Sequence, residues 1–306
     1  MTTTIDRPPA APGGGHRSLR EKQGNAKRRD RTERVMRYVL TVLMAVASIP
    51  LFLILFEVVR RGAGVISAEF FTEREFPPAR EGGGYAAGFV GTGMIMIWAA
   101  AMAIPVGILA AVYLVDYGKG WLPRIIRFFT DVMTGIPSIF VGLAVYALII
   151  RSTGFTWGAF PAAVAIFIIM LPIVVRSSEE ILRTVPQDLK QGSLAMGARK
   201  WQTTVRVVLP AAAPGLTTGA MLAVARGAGE TAPLILTAFG NPNVVTAWWN
   251  QAIGALPLQI YNGARQPFAP GIERAWGGAL CLMVLVLLLT VGARLIGRRF
   301  AKTARQ

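Results

Sequence analysis

The chain has 306 residues, 53% of them hydrophobic, and a formal net charge of +16. Its mean hydropathy is +0.49, and several apolar runs exceed the length of a soluble core helix, which places it among polytopic membrane proteins. In a soluble protein such a charge would indicate nucleic acid. Here the basic residues cluster between the apolar runs rather than along one face, which excludes that partner. The single cysteine, Cys281, lies inside an apolar run and reads as packing, so no disulfide forms within the chain. The single histidine, His16, lies in a Gly/Pro-rich stretch, which excludes a histidine-based metal site.

Residues 1–34 carry Pro, Gly, Ser and many charges with few large apolar residues, and are expected to form a disordered, basic cytoplasmic tail that touches anionic membrane lipid. The first apolar run comes too late, and is too long, for a cleaved signal peptide. Residues 35–300 are expected to form an all-α, six-helix membrane domain. Its spans fall near Met36–Val59, Gly88–Val115, Phe128–Ile150, Trp157–Val175, Ala211–Phe239 and Ala275–Leu295. Prolines 105, 137, 172 and 233 interrupt spans, as bundle helices tolerate when neighbours satisfy the freed carbonyls. Trp157, Trp248, Trp249 and Trp276 suit an interfacial belt.

Six spans put both termini on one side. With the termini inside, 24 Lys/Arg fall on the cytoplasmic side and 7 outside, Arg226 being the remaining one. Dropping the tail leaves 14 against 7, so the asymmetry favours cytoplasmic termini.

The cytoplasmic loop between spans four and five, 176–210, has helix signals. Pro186 suits a first helical position and Asp188 the first turn, while Gly197 suits a left-handed residue ending the helix. Leu189, Ser193 and Met196 share one face of this first short helix, and a second helix runs from Arg199 to Leu209. A helix–glycine–helix elbow is either a docking lug for a cytoplasmic partner or a connector lying on lipid headgroups, with Trp201 as an anchor.

The fifth span carries Arg226 and Glu230, four apart and so on one helix face. A cation near the bilayer midplane costs about 3 kcal/mol on insertion scales, so it is kept where it faces a partner, a water-filled path or an anionic cargo. Gly215, Gly219, Ala223 and Gly227 repeat at four, a small-residue stripe suited to close helix packing. The charged pair lies roughly 60–100° round the helix from that stripe, so it can face a cavity while the stripe packs. Thr217, Thr218 and Thr231, with Thr134 and Ser138 on the third span, offer neutral hydrogen bonds, and arginine offers a fork matched to phosphate oxygens. Two readings remain at this point: the pair lines an anion path, or it neutralises itself within the assembly.

Gly197, Val207, Leu209 and Pro210 follow the spacing of the cytoplasmic loop of ABC-importer permeases. Gln191 stands where that family has Glu, and Gly192 and Ser193 stand for two alanines. The run Ala223–Thr237, with its Gly-Glu-Thr-Ala-Pro segment, resembles the fifth span of PstA-type permeases of bacterial phosphate importers. Gly135–Leu143 is similar to their third span and Ala255–Tyr261 to their last outer loop. This resemblance implies a type I ABC-importer (MetI-like) permease fold in a bacterial cytoplasmic membrane. It implies a phosphate path through Arg226, Glu230, Thr231, Ser138 and Thr134. It also implies an ATPase-coupling surface at Gln191, Gly192, Ser193, Leu194, Ala195, Met196 and Gly197. The partners it implies are a homologous PstC-like permease, PstB-like ATPase subunits that hold ATP and Mg, and a PstS-like phosphate-binding protein.

Gly227–Ala232 mimics a dinucleotide fingerprint without a strand–helix unit, and Gly292–Arg299 mimics a phosphate loop without its Lys-Ser/Thr ending. No Ser-His, Glu-x-x-His or paired intramembrane Asp arrangement supports an intramembrane protease. A PstC-like subunit, a permease for another oxyanion and a non-transporting scaffold stand as alternatives.

Overall fold

The structure is a computed structural model that describes residues 23–303, so the part of the basic tail over 1–22 lies outside the described residues. The chain divides into two units, 1–56 and 57–306. Helix α1 (Gln23–Gly62) begins in the first. Residues 23–34, assigned above to a disordered tail, are therefore helical. The reason is local. Arg37 pairs with Glu33 one turn away at 2.8 Å, and the Thr32 hydroxyl donates to the Arg28 carbonyl at 2.9 Å. Such pairs stabilise a solvated helix that composition alone reads as coil.

The second unit contains α2 (Ala68–Thr72), α3 (Ala86–Val112), α4 (Leu122–Gly135), α5 (Ser138–Val145), α6 (Arg151–Thr153) and α7 (Ala159–Thr184). It continues with α8 (Gln187–Ala195), α9 (Lys200–Thr203), α10 (Leu209–Ala228), α11 (Ala232–Thr237), α12 (Leu256–Ala264) and α13 (Ala269–Thr303). Wider π turns at Tyr113–Tyr117, Tyr146–Ile150 and Thr204–Val208 adjoin α3, α5 and α10.

Helix α7 is the centre, with α3 on one side and α10 on the other. Small residues make this possible, because apolar helices in lipid associate through close packing rather than through expulsion of water. Ala99, Ala103, Ala162, Ala163 and Ala223 are fully buried. A Cβ at Gly107 would stand 2.6 Å from Val174; at Gly215, 2.6 Å from Ile181; at Gly219, 2.6 Å from the Ser177 hydroxyl. The small-residue stripe of the fifth span thus seats against α7, as its spacing requires.

Among the described residues, five helices are long and apolar enough to cross a membrane, or six if one bent pair is a single span. The third span differs from the single helix its sequence suggests: Leu122–Gly135 and Ser138–Thr153 meet at 106°. The fifth is also interrupted, ending at Ala228 and resuming at Ala232. Pro105 and Pro172 lie inside unbroken α3 and α7. Pro137 and Pro233 instead stand at the starts of new helices. The difference is glycine: Gly135 and Gly229 precede the second pair, so a weak helix former and a proline act together. Ile136, just before Pro137, is extended at φ −73°, ψ 128°, as a residue preceding proline prefers.

At the other end of α3 the loop 73–84 is held by Arg274 of α13, which is 3% exposed. Its guanidinium donates to the carbonyls of Arg80 (2.6 Å), Gly82 (2.9 Å), Phe76 (3.1 Å) and Pro77 (3.1 Å). Burial pushes the Glu75 carboxyl above its usual range, against a hydrogen bond from Gln259 and the nearby Arg274 charge.

Candidate functional site

The two broken spans face each other. A Cβ at Gly142 of α5 would stand 2.7 Å from Cα of Pro233 in α11, so the segments that resume after each break touch backbone to backbone. In front of them lies a cavity of about 590 Å³. Arg226 and Glu230 line it together with Thr134 and Ser138 and an apolar wall that includes Ile168, Ile169 and Ile173 of α7. Four of the five candidate path residues therefore meet in one place. Thr231 is not in the wall; it stands before α11, and its carbonyl accepts from the Leu234 N–H at 3.1 Å.

Arg226 and Glu230 do not share a continuous helix, because α10 ends between them. Glu230 reaches its position through a turn in which the Gly229 N–H donates to the Arg226 carbonyl and the Glu230 N–H to that of Gly227. The closest approach of the side chains is 3.6 Å, an ion pair too long for a hydrogen bond. The Arg226 side chain is 65% exposed while that of Glu230 is 16% exposed, so the carboxylate is largely enclosed and the guanidinium is open to the cavity that both line.

The neutral groups differ. The Thr134 hydroxyl donates to the Asp131 carbonyl at 2.6 Å, so its proton is used inside α4. Ser138 opens α5 and lines the cavity at this helix N-terminus, where the Phe140 N–H already donates to the Pro137 carbonyl at 2.9 Å and the two N–H groups before it lie in the unpaired first turn. A cation, a hydroxyl and a helix N-terminus around one space are the donors an oxyanion needs.

The first arm of the elbow forms as its sequence reads, whereas the second arm, expected over Arg199 to Leu209, does not end there but runs on without a break through Lys200–Ala228 into the fifth span. Gly197 has φ +84°; its N–H donates to the Leu194 carbonyl at 3.0 Å, and the Ala198 N–H to that of Ser193 at 3.3 Å. This is the left-handed cap that satisfies the last carbonyls of α8. Pro186 sits one place before the first helical position. Met196 (89%), Leu189 (48%) and Leu194 (47%) are exposed, and Gln191, Gly192 and Ala195 are exposed beside them. Ser193 is not on that face: its hydroxyl meets the Thr203 hydroxyl at 2.9 Å and joins the two arms of the elbow.

Several groups had no sequence signal. Lys190 pairs with Asp116, 74 positions away, at 2.8 Å. Arg127 of α4 pairs with Glu179 of α7 at 2.9 Å, and Arg183 joins the same carboxylate at 2.6 Å. Trp248, expected in an interfacial belt, stacks on Trp98 with centroids 4.8 Å apart. Apart from Arg183–Glu179, which are one helical turn apart, these contacts link residues far apart in sequence, so periodicity could not reveal them.

Residues 103–302 match the family model described as "Binding-protein-dependent transport system inner membrane component". The chain is 39% identical over 264 residues to the phosphate transport system permease protein PstA 1 of Mycobacterium tuberculosis (strain CDC 1551 / Oshkosh), covering 85% of this chain and 86% of that one. It is 38% identical over 254 residues to the PstA protein of Yersinia pestis, covering 81% and 83%. Among solved structures, an inward-facing MetNI methionine ABC transporter chain matches with a TM-score of 0.55 at 22% identity, covering 69% of this chain and 93% of that one, a likeness of fold.

Proposed function

Because the chain belongs to the inner-membrane components of binding-protein-dependent transport systems and is a permease subunit of a phosphate importer, we propose that phosphate crosses the membrane past Arg226. The observation that carries this reading is the cavity itself, which brings Arg226, Glu230 and Ser138 to the breaks of two spans. Arginine meets phosphate oxygens through a planar fork, and Glu230 holds the guanidinium or accepts from a protonated phosphate oxygen. The apolar remainder of the wall lets the anion leave again, as transport requires binding that is not too strong. A homologous permease would supply the facing wall, over the exposed Phe140 and Leu143 of α5.

In this reading the chain is a transport subunit rather than an enzyme. ATPase subunits holding ATP and Mg seat on the exposed face of α8, and a phosphate-binding protein delivers cargo at the opposite end. The elbow bonds to Asp116 at one end of α3, while the Leu256 N–H bonds to Thr92 near the other, which supports opposite sides for the elbow and α12. With the 24-to-7 charge asymmetry, the elbow and both termini are cytoplasmic.

The test is phosphate uptake in membranes that contain equal amounts of assembled complex. Arg226→Gln is expected to lower uptake at least about tenfold, the loss of a charge-assisted contact worth roughly 1.5–3 kcal/mol. The double change Arg226→Leu with Glu230→Leu leaves no uncompensated charge. Near-normal uptake in that double variant would show that the pair is structural and that the path lies elsewhere.

A further inference from the structure

The end of α3 is bonded to both arms of the elbow through one carboxylate. Asp116 lies in the π turn Tyr113–Tyr117 that finishes the second span. Its Oδ1 accepts from Lys190 Nζ of α8 at 2.8 Å, and its Oδ2 stands 3.2 Å from the Thr204 hydroxyl, whose single proton is shared with the Lys200 carbonyl at 3.1 Å. Thr204 opens the second π turn, Thr204–Val208, which leads directly into α10. The ion pair is enclosed, with side chains 13% and 9% exposed, unlike Arg176–Asp131 at 60% each. Lys200 of α9 adds a cation over the Tyr117 ring, 4.7 Å from its centroid.

These contacts have mechanical consequences. The chain connects the elbow to α7 and α10 but not to α3, so a force on α8 reaches α3 only through packing or through this carboxylate. A salt bridge shielded from water resists sliding, because each half-broken geometry leaves a charge without partner or solvent. One element further, Arg127 donates to the Leu114 carbonyl at 3.3 Å within the same π turn and to Glu179 of α7 at 2.9 Å. The end of α3 is therefore joined to the elbow, to α4 and to α7, and the last two carry Thr134 and the residues Ile168, Ile169 and Ile173 of the cavity wall.

We propose that Asp116 is the joint through which the elbow moves the second span, making Asp116, Lys190 and Thr204 positioning residues for transport. The inference rests on the reading of the chain as the subunit of an ATP-driven importer. Its specific content is that breaking the joint separates ATP hydrolysis from phosphate movement while the elbow still docks.

The experiment measures phosphate imported per ATP hydrolysed by the complete complex in proteoliposomes, at equal assembled complex. Asp116→Asn and Lys190→Met are each expected to hydrolyse ATP while lowering that ratio about fivefold or more, the size of an ordinary coupling between sites. Thr204→Val, which removes the weaker of the two partners of Asp116, is expected to lower it less. The double Asp116→Asn, Lys190→Met is expected to be no worse than the more severe single, since residues forming one link are not additive. That double removes both charges and carries the measurement if a single variant with an unpaired buried charge does not assemble. An unchanged ratio in the variants, including the case where uptake and hydrolysis fall together, overturns the proposal. So does a double variant whose loss is the product of the singles. A wild-type complex that hydrolyses ATP without importing phosphate would instead overturn the proposed function.

Discussion

Arg274 and Arg226 occupy opposite circumstances within one bundle. Arg274 is 3% exposed and donates to four backbone carbonyls, so its position is determined from every side. The Arg226 side chain is 65% exposed, and the one carboxylate beside it stands 3.6 Å away. The first arginine spends four of its five donors on the fold, its Nε alone lacking a partner; the second keeps its hydrogen-bonding capacity for something that comes and goes. The contrast shows why counting charges in a membrane protein does not locate a path: what matters is how many of an arginine's five donors the protein already occupies.

The largest effect that would sharpen this contrast is expected from Arg274→Met. It leaves the carbonyls of 76–82 without their donor and should destabilise the fold on the order of 3 kcal/mol or more. The amount of assembled complex in membranes should fall sharply, whereas Arg226→Met should assemble normally and fail in uptake. If Arg274→Met assembles and transports normally, the distinction between the two arginines is wrong.

Arg226→Lys comes next. A point charge keeps the attraction for phosphate but loses the paired geometry, so uptake at equal assembly should fall by about tenfold rather than vanish. Full activity would mean that the fork geometry is irrelevant.

A third prediction tests whether the elbow, unlike the loop 73–84 that the Arg274 side chain holds, is determined by backbone geometry. No atom stands within 4 Å of a Cβ placed on Gly197, so space is not the obstacle; its φ of +84° is. Gly197→Val should cost about 1 kcal/mol or more and weaken retention of the ATPase on purification, while Gly192→Ala in the middle of α8 should not.

The smallest effect concerns the carboxyl near Arg274, that of Glu75. Burial raises the Glu75 carboxyl above its usual range. For an acid whose folded value is raised, the stability contribution is full below the unfolded value and is lost as pH rises through the folded one. Ionised Glu75 is thus a modest liability at neutral pH. Thermal stability of the purified complex should fall less steeply with rising pH in Glu75→Gln than in the parent. An identical pH profile would show that this carboxyl does not contribute.

The sequence by itself determined the helical membrane fold, the positions of the apolar spans and the elbow. Those follow from span length, from Gly197 at a helix end, and from glycines 215, 219 and 227 recurring one turn apart. It also singled out Arg226 and Glu230, because charges are so costly in that setting that their presence alone is informative. It misread residues 23–34, where charge was taken for coil although pairs such as Glu33–Arg37 hold a helix. It treated four prolines alike, and only the packed structure separates Pro105 and Pro172, which their neighbours absorb, from Pro137 and Pro233, which start new helices. Which donors stay available was likewise decided by tertiary structure. Thr134 spends its proton on α4, Thr231 stands outside the cavity wall, and Ser193 turns inward to Thr203. Asp116 and Lys190 meet across 74 positions. Residue type and spacing specify what a side chain is able to bond; the partner it actually meets depends on which helices the small residues allow to approach.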